Sequence, residues 1–450
     1  MKTFYATLFA IVLSFSTYAK SGKVQLSGRV ANASLATLSI SYVNNFELTT
    51  LEINEDGSFE STFTIEQGYY FFEYGRNSAY LYLSPKDALS VFFDAKDFEN
   101  TLRFEGRGAE RNNYLVLKSK IDKEVTGNLE AFYKVGESAY LENLSALQDK
   151  QLEALETFAV EPFFRKAETK SLEYERLLNI QNYASNYEFY LGEEITPSQQ
   201  FFTPLDNLNL NDQEDYMTHP YYHYLVNAIW NKRIEAEPDV DGMLEVLKKV
   251  PSRDLALSLI NGFYSKISNK EGRAKDYLDL IKRVVTHQPF IEASEKRYEE
   301  VMASEGLQTG DPSPNFRFED AEGNTVALSD LRGSYVYIDV WATWCAPCIK
   351  QVPYLKELET RYHQKNIIFV SISVDKEALK GTWKKMISDK ELGGLQLFAD
   401  NSFDSDFMNA YAVNSIPRFI LIDPDGNIVD AEAPRPSFEK TRKRLDALLK

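Results

Sequence analysis

The sequence predicts a multidomain protein: an N-terminal antiparallel β-sandwich, a central all-α region and a C-terminal α/β domain. Three observations predict this. Residues 24–105 alternate apolar and polar positions between turn signals, the period-two signature of half-buried strands. From there to about Glu305, apolar residues recur at helical spacing. From Gly310 onward, apolar runs of strand length alternate with helical segments, which is the pattern of a layered α/β unit. A chain of 450 residues is expected to hold two or three domains, and a hydrophobic fraction of 44% supplies their cores. The boundaries fall at 20–107 for the sandwich, 108–305 for the helical region and 306–450 for the C-terminal domain.

The first residues read as a targeting segment. Lys2 precedes an apolar run from Phe4 to Phe15, and Thr17-Tyr18-Ala19 forms a small-x-small cleavage site before Lys20. A cleaved signal peptide over residues 1–19 is expected, and with it export to the periplasm or cell envelope. The run is too short for an ordinary membrane span. No cysteine lies near the site, so a lipid anchor is not expected. An uncleaved, membrane-tethered form is the alternative.

Strands are expected at 24–30, 38–42, 50–53, 58–64, 69–74, 79–83 and 89–93, with Glu55-Asp56-Gly57 as a hairpin turn. The aromatic run Tyr69-Tyr-Phe-Phe-Glu-Tyr74 is read as core packing rather than a binding surface. Helices follow at 112–135, 138–159, 162–191, 218–234, 239–249, 252–267, 274–286 and 289–303, with a long connection over 192–217. Pro162, Pro220 and Pro289 suit first helical turns. His219 and His223 stand at i,i+4, a metal-like spacing. They lack a glutamate after the first histidine and a third ligand, so surface or interface histidines are expected and no metal.

Net charge is −17, spread unevenly. From Leu307 onward there are 18 basic and 21 acidic residues, a net of −3 that leaves −14 for the front of the chain. An acidic surface argues against nucleic acid and anionic membrane partners.

The C-terminal domain opens with strands at 316–318 and 325–328 flanking the turn Asp320-Ala-Glu-Gly323. Buried-type strands follow at 335–340, 367–374, 395–398 and 416–422, then the turn Asp423-Pro-Asp-Gly426 and a strand at 427–429. Helices are placed at 349–362, around Trp383, at 403–411 and at 438–449. A largely parallel central sheet is expected, with an antiparallel pair around the Asp-Gly turn.

Chemistry concentrates at the only two cysteines, Cys345 and Cys348, in Trp341-Ala-Thr-Trp-Cys-Ala-Pro-Cys348, where a strand turns into a helix. At a helix start the first thiol faces unsatisfied N–H groups and the positive end of the helix dipole, which favours its thiolate. The second stands one turn further on, within reach of a disulfide. Half a zinc site would need two more ligands, and His363 is far down the helix. A structural disulfide closing so short a loop would constrain little. A redox site is the reading that fits. Asp339 lies in the apolar strand ahead of it, so its pKa should be raised toward neutrality.

Together these residues resemble a family. Asp339-Val-Trp-Ala-Thr-Trp-Cys-Ala-Pro-Cys348, Pro353 in the next helix and Ser415-Ile416-Pro417 before a late strand resemble thioredoxin-fold proteins. Gly310-Asp-Pro-Ser-Pro-Asn-Phe316 and Leu328-Ser-Asp-Leu-Arg-Gly333 narrow the resemblance to the exported TlpA/ResA-like thiol-disulfide oxidoreductases. The front of the chain is similar to N-terminal regions on such proteins in Bacteroidetes-type bacteria. The resemblance implies a thioredoxin-like fold, Cys345 as an exposed attacking thiolate and Cys348 as the resolving cysteine. It makes Asp339 a buried proton acceptor, with a structural carboxylate as the alternative. Pro417 falls at the family's cis-proline, and Ile416 would offer backbone groups to an extended substrate. Trp344 is grouped with them on the substrate side, although Trp341 and Trp344 chiefly suit packing.

Gln351 departs from the family, whose ResA-like members carry glutamate there. No histidine stands between the cysteines, unlike DsbA-like oxidases, and Ala342 replaces the threonine a peroxiredoxin requires. The implied activity is reduction of protein disulfides without a cofactor, with electrons from a membrane thiol-disulfide donor. A disulfide oxidase or isomerase, or an envelope binding protein with a redox-regulated contact, are the alternatives.

Overall fold

The computed structural model describes residues 21–43, 47–75, 77–267, 272–304, 307, 309–411, 413 and 415–450; the signal peptide expected at 1–19 lies outside them. The chain forms two compact units. One runs to Gly262 without Leu191–Glu193, and the second comprises that short piece and Phe263–Lys450. The break falls inside the helical stretch.

The first unit begins with eight strands: β1 (Ser21–Ala31), β2 (Thr37–Tyr42), β3 (Glu47–Glu52), β4 (Ser58–Glu66), β5 (Gly68–Tyr74), β6 (Asn77–Leu83), β7 (Ala88–Asp94) and β8 (Arg103–Arg107). They make two four-stranded sheets, ordered β4-β1-β7-β8 and β3-β2-β5-β6. Alternation decides which side chains go inward: in β7, Leu89, Val91 and Phe93 are buried and their neighbours are not. One apolar cluster draws Val24, Leu26 and Val91 from the first sheet and Ile40, Phe72 and Leu81 from the second. Gly57 has φ +82° in the hairpin turn, and a Cβ there would stand 2.3 Å from the Val30 carbonyl oxygen. The antiparallel expectation fails at one pairing, because β1 is antiparallel to β4 but parallel to β7. Between β1 and β7 the chain passes through both sheets, which is the long crossover a parallel pair needs.

The helices here are α1 (Phe98–Thr101), α2 (Ala109–Thr126), α3 (Leu129–Tyr133), α4 (Glu137–Glu156), α5 (Pro162–Gln181), α6 (Tyr183–Leu191), α7 (Gln213–Thr218), α8 (Pro220–Glu235) and α9 (Val240–Leu247), followed by α10 (Arg253–Lys266), within which the break falls. The helix expected over 112–135 breaks at Gly127, which has φ +47°, and Asn128 restarts it by accepting a hydrogen bond from the Ala131 N–H. The expected connection 192–217 contains a 3-10 helix, Gln199–Leu205, and α7, both too short to show a hydrophobic period. Arg111 on α2 is fully buried and pairs with Asp87 and Glu161, while its Nε donates to the Tyr82 carbonyl at 3.0 Å. His219 corrects the surface expectation. It is 6% exposed, its Nε2 lies 3.7 Å from Asp215 Oδ1, and it packs on the rings of Tyr69 and Tyr174.

In the second unit α11 (Ala274–Val284) and α12 (Gln288–Ser304) precede an α/β domain. Its elements are β9 (Arg317–Asp320), β10 (Thr325–Ala327), β11 (Tyr335–Trp341), α13 (Ala346–Tyr362), β12 (Ile367–Ser373), α14 (Lys380–Asp389), β13 (Leu395–Phe398), α15 (Asp406–Ala410), β14 (Arg418–Ile422), β15 (Ile428–Asp430) and α16 (Glu439–Leu448). The sheet order is β10-β9-β13-β12-β11-β14-β15. One face carries Val336, Ile338 and Val340 of β11 against Trp383 of α14 and Phe407 of α15. The other carries Tyr337 against Leu355 and Leu358 of α13 and Leu445 of α16. Full burial of each of these aliphatic side chains stabilises the domain by roughly 1.5–3 kcal/mol.

The largely parallel sheet expected from the sequence is corrected. Only the β11–β12 and β12–β13 pairings are parallel; β9, β10, β14 and β15 all pair antiparallel. For β14 and β15 the cause lies between β13 and β14. The five-residue α15 is too short to carry the chain back along the sheet, so β14 starts at the edge where β11 ends. That reversal brings the start of β14 to the end of β11 that leads into the cysteines.

Candidate active site

Strand β11 ends at Trp341, and the chain turns at once: the Cys345 N–H donates to the Ala342 carbonyl at 3.0 Å. A buried carboxylate holds this turn. Asp375, just past β12, accepts the Thr343 N–H at 2.8 Å, the Thr343 hydroxyl at 2.9 Å and the Ser373 hydroxyl at 2.9 Å. Cys345 then takes the N-cap position of α13 with extended backbone, and Ala346-Pro347 occupy the first turn, where the missing proline N–H costs nothing.

Cys345 and Cys348 are joined as a disulfide with Cα atoms 5.2 Å apart. The Cys348 N–H lies 3.2 Å from the Cys345 sulfur, so a helix-terminal donor already faces that atom. Cys345 is not the exposed group expected. It is 4% exposed beside 2% for Cys348, because both sulfurs belong to the apolar cluster that contains Trp341, Ala342 and Phe407. Trp344 is the open side chain, 37% exposed, with its ring centroid 6.5 Å from that of Phe403. The Ile416–Pro417 peptide is cis, and Ile416 packs partly buried against the cluster holding the two cysteines.

Asp339 alternates with Ile338 and Val340, so it shares the α13 face with Tyr337. It lines one narrow cleft together with Cys348. Burial, and then the negative charge of Glu359, push its carboxyl up to about 8, and its Oδ1 has no hydrogen-bond partner. A carboxylate kept neutral by its surroundings can exchange protons with a neighbouring thiol near pH 7. Gln351 is buried, and its Oε1 accepts the Ser437 N–H at 3.1 Å, fastening α13 to the segment ahead of α16. The neutral amide brings no charge of its own to this stretch of α13. Pro353 sits within α13 and leaves it one N–H short.

Two contributors went unread in the sequence. Asp375 looks like an ordinary acid after a strand, and only the fold brings it to Thr343. Glu359 looks like one of many solvated helix glutamates, although it stands eleven residues past Cys348 and therefore returns near the same face. Among the described residues no group of His, Cys, Asp and Glu has the geometry to hold a metal ion. No helix among them is long and apolar enough to cross a membrane.

Comparison with known proteins agrees with this arrangement. The Redoxin family matches residues 308–449. The thiol-disulfide oxidoreductase ResA of Bacillus anthracis is 31% identical over 146 residues, covering 32% of this chain and 79% of that protein. ResA of Bacillus subtilis is 31% identical over 127 residues, covering 28% and 67% respectively. Among solved structures, the thioredoxin domain of a thiol-disulfide oxidoreductase from Bacteroides vulgatus matches 32% of this chain and 100% of its own length, with 28% identity and a TM-score of 0.30. Through its C-terminal domain, the chain belongs to the ResA-like thiol-disulfide oxidoreductases of the thioredoxin superfamily.

Proposed function

We propose that the chain is an exported protein-disulfide reductase working by dithiol–disulfide exchange at Cys345 and Cys348. One observation carries this reading. The two cysteines are paired at the start of α13, with the Cys348 N–H already directed at the Cys345 sulfur. In the reduced protein the same donor and the helix field favour a thiolate on Cys345. That thiolate attacks a substrate disulfide, forming a mixed disulfide and releasing one substrate thiolate. Cys348 then loses its proton to Asp339 and attacks the Cys345 sulfur. The second substrate thiolate leaves, and the Cys345–Cys348 disulfide forms. The substrate gains two electrons and two protons, and a dithiol donor, in this reading a membrane thiol-disulfide relay, must return two electrons to the enzyme. Ile416 and Pro417 would receive an extended substrate segment beside the disulfide, with Trp344 as an apolar flank. The reducing direction is supported by Ala-Pro between the cysteines and by Ile416, both of which resemble reducing members of the family.

Export rests on the signal peptide read at 1–19, and the parts are taken as 20–107, 108–305 and 306–450. The two N-terminal sheets, which share one core, are read as a β-sandwich. Because residues 21–304 lie outside the Redoxin match, an envelope binding protein with a redox-regulated contact is the second reading. Insulin reduction driven by dithiothreitol tests the first. Cys345→Ser should abolish turnover, and Cys348→Ser should accumulate a mixed disulfide with the substrate. Full turnover in Cys345→Ser would overturn the reading, and a cellular phenotype kept by that variant would favour the binding role.

A further inference from the structure

Beside Cys348 the fold leaves a cleft that the exchange steps above do not use. It is lined by Asp339 and Trp341 of β11, by Cys348, Lys356 and Glu359 of α13, and by Gln396 of β13. It runs from buried ground to the surface: Asp339 and Cys348 are buried, while Lys356 and Glu359 are half-buried. Three buried polar atoms on its walls, Asp339 Oδ1, Trp341 Nε1 and Gln396 Oε1, form no hydrogen bond with the protein. Two acceptors and one donor on the walls of one cleft give water the several polar partners it needs to be held, and a space of about 10 Å³ admits a single molecule between them.

The opposite wall is shaped around Glu359. A Cβ on Gly393 would stand 2.2 Å from Glu359 Oε2, and one on Gly394 would stand 3.0 Å from Oε1. Two consecutive glycines therefore leave the room in which this carboxylate lies along the cleft. Burial raises the Glu359 pKa above the ordinary carboxylate range, and Lys356 opposes that. The Lys356 ammonium is itself held, donating to the Lys390 carbonyl at 2.7 Å. Of the other groups facing Asp339, Tyr337 is fully buried with its pKa raised, and Ser371 of β12 and Gln396 of β13 carry no charge.

We propose that Glu359 is the positioning residue for proton traffic, linked to Asp339 by water in this cleft, so that the proton exchanged with Cys348 reaches solvent by way of Glu359. This rests on the reading of Asp339 as the proton partner of Cys348. The cleft lies on the α13 side of the sheet, so a proton can move by this route while Ile416, Pro417 and Trp344 are covered by substrate.

The test uses the full-length protein with Glu359→Gln. Two quantities are read: the pH titration of the Asp339 carboxyl by carbon NMR, and the rate at which Cys348 resolves a mixed disulfide between Cys345 and a dye-labelled peptide across pH 5–9. A residue acting by charge alone and a proton carrier predict opposite rates. Removing the charge of Glu359 lowers the Asp339 midpoint, which leaves more base at pH 7 and by itself speeds the step. Loss of a carrier slows it, by at most the roughly hundredfold expected for Asp339 itself. The proposal expects the lower midpoint together with the slower rate, and Gly393→Ala, which crowds Glu359 while keeping every titratable group, should slow exchange likewise. A rate that holds or rises in Glu359→Gln overturns it. Asp339→Asn separates the two levels. If that variant is slow and Glu359→Gln is not, the relay fails and the role of Asp339 stands; if Asp339→Asn exchanges at the normal rate, the underlying reading fails.

Discussion

At the scale of single residues, Asp339 sets a pH dependence whose sign follows from burial. Its carboxyl titrates near 8 in the folded protein, well above an unfolded aspartate. Below about pH 4 it is protonated in both states and costs nothing. As pH rises toward about 8 the unfolded chain releases a proton that the folded chain keeps, so stability is lost across that window. Asp339→Asn should therefore gain on the native protein as pH rises, by a few kcal/mol between about pH 4 and 9. Thermal melts of both proteins across that range check this, and a constant difference would contradict it. The same variant should slow resolution of a mixed disulfide by roughly a hundredfold, measurable with a dye-labelled peptide disulfide. Asp339 was legible in the sequence because an acid inside an apolar strand is conspicuous. Glu359 was not, since its setting depends on Gly393 and Gly394, which the chain brings up from more than thirty residues away.

Among the elements, the turn between β11 and α13 depends on a residue from a third element. Asp375 accepts three hydrogen bonds from Thr343 and Ser373 in a buried position. Asp375→Ala would strand those donors, and each buried group left unpaired costs about 1–3 kcal/mol. Urea denaturation should show a loss on the order of 3 kcal/mol, with faster opening of the Cys345 region in hydrogen exchange. No change in the midpoint would contradict the clamp. Strands and helices of this domain could be read from apolar runs and turn residues, because each signal is local. Strand direction could not: it turns on whether α15 spans the sheet, and five residues cannot. The same limit hid the parallel β1–β7 pair, which depends on where the chain goes in between.

For the whole molecule, the matched family accounts for residues 308–449 and the chemistry that goes with them. The fragment 307–450 should reduce a small disulfide at a rate within about threefold of the full chain, since no proposed step draws on earlier residues. A collapse of that rate would give the front of the chain a part in the reaction. Within the first unit, Arg111 joins β6, the start of β7 and the start of α5 through Tyr82, Asp87 and Glu161. Arg111→Ala should cost that unit roughly 3–5 kcal/mol, because it leaves Asp87 as a buried unpaired acid. Unfolding followed by tyrosine signals would report it. Composition revealed the charge imbalance, and the motifs around the cysteines carried the likeness of the C-terminal domain, yet this buried knot is spread across three distant stretches with no shared motif.

In the proposed function Cys345 and Cys348 exchange electrons with protein disulfides in the reducing direction. The equilibrium reduction potential of that pair in the full-length protein, set against dithiothreitol or glutathione buffers, tests it most directly. A reductase should give a value near that of thioredoxin, roughly −270 mV; a value near that of DsbA, roughly −120 mV, would make the protein an oxidant instead.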